Sequence, residues 1–277
     1  MDKQIFDNLS NSNKMKKILF TVVGLSIALV SNAQDAANKK LQAGIIVGTA
    51  MNFQKMGTGN LNTNGIGGDF NIGANLNFNI NENIAFNTGI EFDLSSMRYS
   101  ASSTNPVFYH FSDKDIIRKG EWGANNSVFQ LTERTQNAKY VSIPTMFLFR
   151  TNFIGYFRYF GKFGLRHSIL ADSKSNDHGY KIANGVAVEG TNENMKRKSE
   201  MVFYKGAIGL CGGAEWNFTG STCLMAELGY YYGFTPLYYS SKEDKRSLYT
   251  SSIADGNKFF SNAATQSQLM LKVSVLF

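Results

Sequence analysis

Residues 69–80 read DFNIGANLNFNI, and after a short link at 81–83, residues 84–95 read IAFNTGIEFDLS. Every second residue in both stretches is apolar, with one threonine as the exception, and the residues between them are Asn, Gly, Ala, Ser or acidic. Successive side chains of a β-strand point to opposite faces, so this period predicts two strands with one apolar and one polar face each. The Asn-rich link predicts a tight turn between them.

Eight segments of the chain alternate in this way, near 41–53, 67–80, 84–98, 138–151, 156–170, 201–218, 222–236 and 265–277. The links at 81–83, 152–155 and 219–221 are short, whereas the other four are long and polar. Outer-membrane barrels have short periplasmic turns and longer extracellular loops. The layout therefore predicts an all-β fold, an eight-stranded antiparallel transmembrane β-barrel with short periplasmic turns and long extracellular loops.

A soluble sandwich or lipocalin-like barrel would also alternate, but its apolar face would fill a core and its polar face would meet water. The polar faces here carry Gly, Asn and charges of both signs rather than a water-facing mixture of Lys, Glu and Thr. The chain also ends on an apolar strand whose last residue is Phe277. Both features favour a barrel in lipid, with a cramped polar interior.

The N-terminus predicts an export signal. Lys16 and Lys17 precede the apolar run 18–30, which is followed by a small-residue site ending at Ala33. A single transmembrane anchor is the alternative, but the run is shorter than the roughly 20 residues that a spanning helix needs. We expect residues 1–33, an N-terminal extension plus signal peptide, to be removed, and residues 34–277 to form the outer-membrane β-barrel domain.

The formal net charge of +7 arises from 28 basic and 21 acidic residues, and the leader contributes four of the basic and two of the acidic ones. No basic cluster accompanies an aromatic platform or a recognition helix, so we expect no nucleic-acid partner. The densest basic run, Lys196 to Lys198, predicts a solvated loop.

Eleven charged residues fall on the inward face of the predicted strands and define a candidate lumen charge network. They are Asp69, Glu91, Asp93, Arg150, Arg158, Lys162, Arg166, Lys205, Glu215, Glu227 and Lys272. Unpaired buried charge is costly, so we expect these side chains to pair across the lumen. Eight strands leave an interior just wide enough for side chains, which favours a structural plug over a gated polar path.

Cysteine and histidine supply no obvious chemistry. Folding the sixth and seventh segments about their turn places Cys211 opposite Gly229 and Cys223 opposite Asn217, too far apart for a disulfide. His167 and Ser168 are adjacent on one strand and therefore face opposite ways, which prevents them from acting as a base and nucleophile pair. We expect no catalytic residue, no metal site and no cofactor.

The stretch from Lys139 to Leu148, with Tyr140, Ile143 and Pro144, resembles the Tyr-x-x-Ile-Pro-apolar strand of the PorT-like outer-membrane β-barrel proteins of Bacteroidetes. The terminal Phe277 is similar to the signal read by the barrel-assembly machinery. The resemblance implies a small outer-membrane barrel, and the family's namesake takes part in type IX protein secretion. Because proline cannot donate to the strand ladder, we also expect a local irregularity at Pro144.

Three functions follow as hypotheses. The first is a structural or assembly barrel of the outer membrane, surrounded by its lipid, whose long outer loops bind a protein partner in a secretion complex. The second is a lipid-modifying outer-membrane enzyme, and the third is a narrow solute channel. The lack of a catalytic triad geometry and the narrow predicted lumen favour the first.

Overall fold

The computed structural model describes residues 40–123, 127–183, 185–197, 200–219, 222–239, 243–252 and 256–277. The predicted leader and its cleavage site lie outside these residues. The described chain is all-β, as predicted, with fourteen strands and two short 3-10 turns, Lys119–Glu121 and Glu243–Lys245. Within these ranges we find no helix with the length and apolar character to cross a membrane.

The strands are β1 (Leu41–Lys55), β2 (Leu61–Thr63), β3 (Gly67–Asn79), β4 (Ile84–Ala101), β5 (Val107–Ser112), β6 (Asp115–Ile117), β7 (Ser127–Arg150), β8 (Phe157–Ala183), β9 (Val186–Lys196), β10 (Tyr204–Thr219), β11 (Thr222–Gly233), β12 (Tyr249–Ser252), β13 (Gly256–Phe259) and β14 (Thr265–Leu276).

Eight of these strands form a ring of antiparallel pairings, in the order β1, β3, β4, β7, β8, β10, β11 and β14. The ring closes because β14 pairs with β1 from Gly44↔Leu276 to Lys55↔Thr265. These eight strands overlap the eight predicted segments. The total of fourteen differs from the predicted eight because the four long connections contain six further strands.

The ring has two different ends. The short links β3–β4, β7–β8 and β10–β11 lie at one end, which we call the turn end. The four long connections lie at the opposite end, the loop end. This alternation of short and long links agrees with the layout predicted from the sequence.

The ring is apolar outside and polar inside. On β3 the outward Phe70 and Ile72 are 47% and 44% exposed, whereas the inward Asn71 and Asn75 are 1% and 3% exposed. We define an apolar band on the outside of the ring by the outward residues of eight ranges: 41–53, 68–78, 84–94, 141–149, 157–169, 204–218, 222–232 and 267–277. None of these outward residues is Lys, Arg, Asp or Glu. This is the inverse of a soluble barrel and suits a hydrocarbon surrounding.

Pro144 lies inside β7 and interrupts one of its two ladders. The pairing of β4 with β7 runs to Thr88↔Thr145, is missing opposite Pro144 and Ile143, and resumes at Glu91↔Ser142 in the same register. The expected irregularity is therefore present, as a local gap in the ladder without a change of register. The pairing of Pro144 with Arg166 on β8 is kept.

Two ring strands continue far beyond the ring at the loop end. β7 begins at Ser127 rather than near residue 138, and β8 ends at Ala183 rather than near residue 170. The sequence prediction ended both strands too early because outward residues there, such as Asn137 and Lys174, are polar. A strand surface that meets water instead of lipid no longer carries an apolar outer face.

The extensions of β7 and β8 are part of a folded layer. β5 and β9 pair with them, β6 and β12 pair with β5, and β13 pairs with β12. Beneath this sheet lies an apolar loop-end core, made of Leu61, Met97, Tyr99, Val107, Tyr109, Ile116, Phe129, Leu131, Ala138, Tyr140, Leu170, Met195, Met201, Leu237, Tyr238, Leu248 and Ala264. The long connections are therefore not simple loops.

The two cysteines lie where the sequence places them. Cys211 pairs in register with Gly229, and Cys223 pairs with Asn217. Both thiols are free and buried. The register prediction for β10 and β11 is confirmed.

Closure of the ring can be tested with an engineered disulfide between its first and last strands. Thr49 and Leu271 are direct partners on β1 and β14, and such partners place their Cβ atoms about 4.5–5.5 Å apart. In a Cys211→Ala, Cys223→Ala background, the pair Thr49→Cys with Leu271→Cys should cross-link on oxidation, as seen by a shift in electrophoretic mobility.

The matched control is Thr49→Cys with Leu228→Cys, because Leu228 pairs with Leu271 and lies one strand further from β1. This pair should stay reduced under the same conditions. Equal cross-linking of both pairs, or of neither, would contradict the closed ring.

Candidate functional site

The lumen holds all eleven charged residues of the predicted network, and none of their residues is more than 6% exposed. Each comes from an inward position of a ring strand, where neighbouring residues along the strand face lipid. The interior is thus filled with ionic side chains rather than with an apolar core.

The central part of the lumen is organised around Glu91 of β4. Its carboxylate binds Lys272, with Nζ 2.9 Å from Oε1, and also binds Arg166. Arg166 donates in turn to Asp93 at 2.7 Å from Nη2 to Oδ1, and Ser142 donates to the same carboxylate. Four charged side chains, two from β4 and one each from β8 and β14, are therefore joined into one hydrogen-bonded group.

A second group lies nearer the turn end. Glu215 accepts from Arg158 at 2.6 Å, and its other carboxylate oxygen lies 3.2 Å from Nε of Arg150. Lys162 forms a separate ion pair with Glu227. These contacts connect β7, β8, β10 and β11 across the interior.

Asp69 and Lys205 differ from the other nine, because neither has an ion-pair partner in the part of the chain that the structure describes. Asp69 accepts from the Gln268 amide at 2.7 Å. Lys205 donates to Gln266 at 3.2 Å, and its Nζ lies 4.4 Å from the centroid of the Tyr140 ring. The structure brings these two residues into the polar interior without joining them to an opposite charge.

Close packing fills the space between the charges. At the inward Gly209, an added Cβ would lie only 2.5 Å from Cε1 of Tyr231. The Tyr231 ring thus occupies the room that the glycine leaves, beside Arg166 and Lys272. The interior is occupied by side chains, as an eight-stranded ring allows.

Two residues weighed for catalysis, His167 and Ser168, lie on opposite faces of β8. Ser168 lies inside, with its Oγ 2.6 Å from Oγ of Ser142, whereas His167 faces outward with Nδ1 2.8 Å from the Tyr204 hydroxyl. No group of three or more His, Cys, Asp or Glu side chains in these ranges is placed to hold a metal ion. The contacts described for the lumen residues are ion pairs and hydrogen bonds.

A second set of buried charges lies in the loop end and was not predicted. Arg134 of β7 donates to both carboxylate oxygens of Asp177 of β8, at 2.6 and 2.5 Å, and both side chains are fully buried. Arg134 also donates to the Tyr99 hydroxyl at 3.2 Å. Burial raises the pKa of Tyr99 to about 12, so this phenol stays neutral at physiological pH.

A second buried pair lies beside the first. Arg197 Nη2 is 2.6 Å from Oε2 of Glu200 and 3.4 Å from the Tyr99 hydroxyl. Tyr99 therefore links the two arginines. Burial raises the pKa of the Glu200 carboxyl to about 7, although the Arg134 guanidinium opposes this rise.

The Lys196 to Lys198 run is not simply a solvated loop. Lys196 is exposed and pairs with Asp115, whereas Arg197 is 1% exposed and points into the loop-end core. Lys198 lies outside the described residues. The basic run was misread because an arginine that turns inward has the same sequence signature as one that faces water.

A small cavity adjoins the Arg197–Glu200 pair. Its volume is about 30 Å³, and besides this pair it is lined by Tyr238, Tyr239, Lys245, Arg246, Ser247, Leu248, Phe260 and Asn262. A space of this size holds about one water molecule. The cavity is suited to hydrating the buried pair.

A comparison with known families places the chain among membrane barrels. The family model described as "Outer membrane protein beta-barrel domain" matches residues 32–239. No curated protein sequence matches the chain.

Solved outer-membrane proteins align over most of the chain at low identity. The attachment invasion locus protein Ail of Yersinia pestis, solved with the heparin analogue sucrose octasulfate, is 13% identical, with 86% of this chain and 100% of that chain covered and a TM-score of 0.32. OprG of Pseudomonas aeruginosa is 8% identical, with coverages of 87% and 99% and a TM-score of 0.36. The outer membrane protease OmpT of Escherichia coli is 7% identical, with coverages of 90% and 99% and a TM-score of 0.32.

The pair Lys162–Glu227 allows a direct measurement of what a lumen ion pair contributes. We expect Lys162→Met to lower the free energy of unfolding by about 3–5 kcal/mol, because it leaves a buried carboxylate without its cation. Denaturant unfolding of the protein in detergent micelles provides the measurement.

The double variant Lys162→Met, Glu227→Gln removes both charges and should recover most of that loss. The matched control is Lys181→Met, since Lys181 is exposed and should change stability by less than about 0.5 kcal/mol. A loss that is the same for Lys181→Met and Lys162→Met would contradict a buried ionic interior.

Proposed function

Because the chain belongs to the outer membrane protein beta-barrel domain family, and is therefore an outer-membrane protein, we propose that it is a non-conducting eight-stranded barrel that presents a folded binding surface outside the cell. The observation that carries this proposal is the contrast between the interior of the ring and its loop end. The interior is filled by charged side chains, most of them in ion pairs, whereas the loop end is a sheet with its own apolar core.

The apolar band supports a transmembrane position for the ring. On β4 its outward residues run from Ile84 to Leu94, which is eleven positions along the strand. A membrane-spanning β-strand needs about 9–11 residues, so the band matches the thickness of a bilayer. With the turn end in the periplasm, the loop end and its core stand in the external medium.

The ionic interior supports a structural role over a channel. The ion pairs of Glu91, Asp93, Glu215 and Glu227 link β4 to β8 and β14, and β8 to β10 and β11. A solute path would require several of these pairs to break in a setting where unpaired charge is costly. We propose that the network holds the barrel shut and stabilises it.

The tip of the β8–β9 hairpin is the best candidate surface for a protein partner. Val186 and Val188 are each 61% exposed and share one face of the hairpin, because they pair with Ala183 and Lys181 of β8. β9 pairs with β8 on one side and touches β6 only at Asp115↔Lys196 on the other. An edge strand with exposed apolar residues is suited to binding another protein.

We propose an accessory role in protein secretion as the narrower function. It draws on the likeness of the strand around Tyr140, Ile143 and Pro144 to the PorT-like barrels. Recognition of Phe277 by the barrel-assembly machinery is part of the same proposal. The separation of His167 from Ser168 supports a non-enzymatic role over lipid modification.

Partner binding can be tested by purification from native outer membranes. A protein that copurifies in constant ratio with the wild-type chain should be lost from the variant Val186→Asp, Val188→Asp, because charge disrupts an apolar contact. Quantitative mass spectrometry of the eluate measures the ratio.

The matched control is Lys258→Gln, which changes an exposed charge of the loop end on β13, a strand that pairs with neither β8 nor β9, and should leave the ratio unchanged. If the partner is retained by the valine variant, the hairpin is not the binding surface. If no protein copurifies in constant ratio, the assembly role itself is wrong.

The channel alternative has its own test in planar lipid bilayers. The wild-type barrel should give no stepwise conductance, because its interior is filled. A porin measured in the same bilayers provides the positive control. Regular conductance steps from the wild-type protein, altered in the variant Arg166→Gln, would replace our proposal by a narrow channel.

A further inference from the structure

A basic patch lies directly above the apolar band on one side of the ring. The register of β4, β7 and β8 arranges outward residues there in rows across the three strands. From the membrane outward the rows are Phe92, Val141, Ile169; then Leu94, Lys139, Asp172; then Ser96, Asn137, Lys174; then Arg98, Thr135, Asn176. The first row is the upper edge of the apolar band, and the basic residues begin one row higher.

Arg98, Lys139 and Lys174 are all exposed. No salt bridge joins any of the three to an acidic side chain in the described ranges, although the partly buried Asp172 lies in the same patch and the partly buried Glu133 lies one row above Arg98. Lys139 and Lys174 are diagonal neighbours on adjacent strands, a relation that places the two residues about 7–8 Å apart and their Cβ atoms somewhat closer. Their long side chains can therefore reach one anionic group together.

The patch lies on one side of the ring. At the loop end of β10, β11 and β14 the outward residues include Tyr204, Tyr232, Ser267 and Thr265, which carry no charge, and β1 adds a single outward cation, Lys55, beside Thr265. Three cations on adjacent strands therefore face one cation on the opposite side. This concentration marks a position for a particular ligand.

We propose that this patch binds the phosphate-bearing headgroup of an anionic lipid in the outer leaflet. Such a lipid has an acyl chain that meets Phe92, Val141 and Ile169, and a phosphate that sits among Lys139 and Lys174 one to two rows higher. Asn137 and Ser96, between the cations, offer hydrogen bonds to the same headgroup. Adjacent apolar and basic rows fit a lipid better than they fit a free anion or an acidic protein.

This inference rests on the proposed transmembrane position of the ring and deepens it by naming the class of lipid. Each basic side chain near an anionic membrane surface favours binding by about fivefold, so loss of all three should reduce the preference for an anionic lipid by on the order of 100-fold. Asp172 offsets part of this effect.

Native mass spectrometry of the full-length mature protein provides the test, with phosphatidylglycerol and phosphatidylcholine as the probes in mixed micelles. We expect the wild-type barrel to retain phosphatidylglycerol in preference to phosphatidylcholine. The variant Arg98→Gln, Lys139→Gln, Lys174→Gln should lose that preference.

The charge-matched control is Lys114→Gln, Lys181→Gln, Lys258→Gln, in which three exposed lysines of the loop end are changed. It should behave as the wild type. Retention of the preference by the patch variant, or its equal loss in both variants, would overturn the proposal. So would displacement of the lipid by inorganic phosphate, which would show a free-anion site, or by a soluble acidic protein.

A barrel that inserts into bilayers but shows no lipid preference would disprove only the lipid site. A chain that fails to insert would disprove the proposed function as well. The two failures are therefore distinguished by measuring insertion into phosphatidylcholine vesicles beforehand.

Discussion

The closing pairing between β1 and β14 is the constraint on which the rest of the molecule depends. In a hydrocarbon surrounding there is no water to satisfy a free strand edge, so every ring strand needs two neighbours. Closure in turn creates an interior cut off from bulk solvent. Charged residues can occupy that interior if ion pairs or hydrogen bonds compensate them. Glu91 and Glu215 have ion pairs, whereas Asp69 and Lys205 have hydrogen bonds to glutamine side chains.

The molecule therefore has two cores of opposite character. Within the membrane band, the apolar side chains face outward and the interior is ionic. Beyond the band, the usual arrangement returns, and residues such as Phe129 and Leu131 are buried beneath a sheet with a polar outer face. The change takes place within single strands, since β7 and β8 contribute to both cores.

Strand periodicity predicted the ring well, because the alternation of side chains, the short turns and the contact with lipid all leave their pattern in residues that are close together in the sequence. The inward placement of Glu91 or Lys272 follows directly from that period. Arg134 and Asp177 could not be assigned in the same way, because their pairing depends on how far β7 and β8 extend after the apolar outer face has ended. Arg197 shows a further limit, since the sequence does not tell whether a basic side chain near a strand end turns inward or outward. The apolar and aromatic run Val107 to Phe111 was the available signal for an ordered loop end.

The length of β8 sets the distance between the bilayer and the tip of the β8–β9 hairpin. From Leu170 to Ala183 the strand extends fourteen residues past the band, or roughly 30–45 Å at about 3.4 Å per residue, allowing for strand tilt. Because β8 is paired with β7 over most of that distance, the two strands form a rigid ribbon of fixed length. A ribbon of that length carries its tip clear of the headgroup layer, so the partner proposed to bind at the tip would be held at a minimum distance from the cell surface.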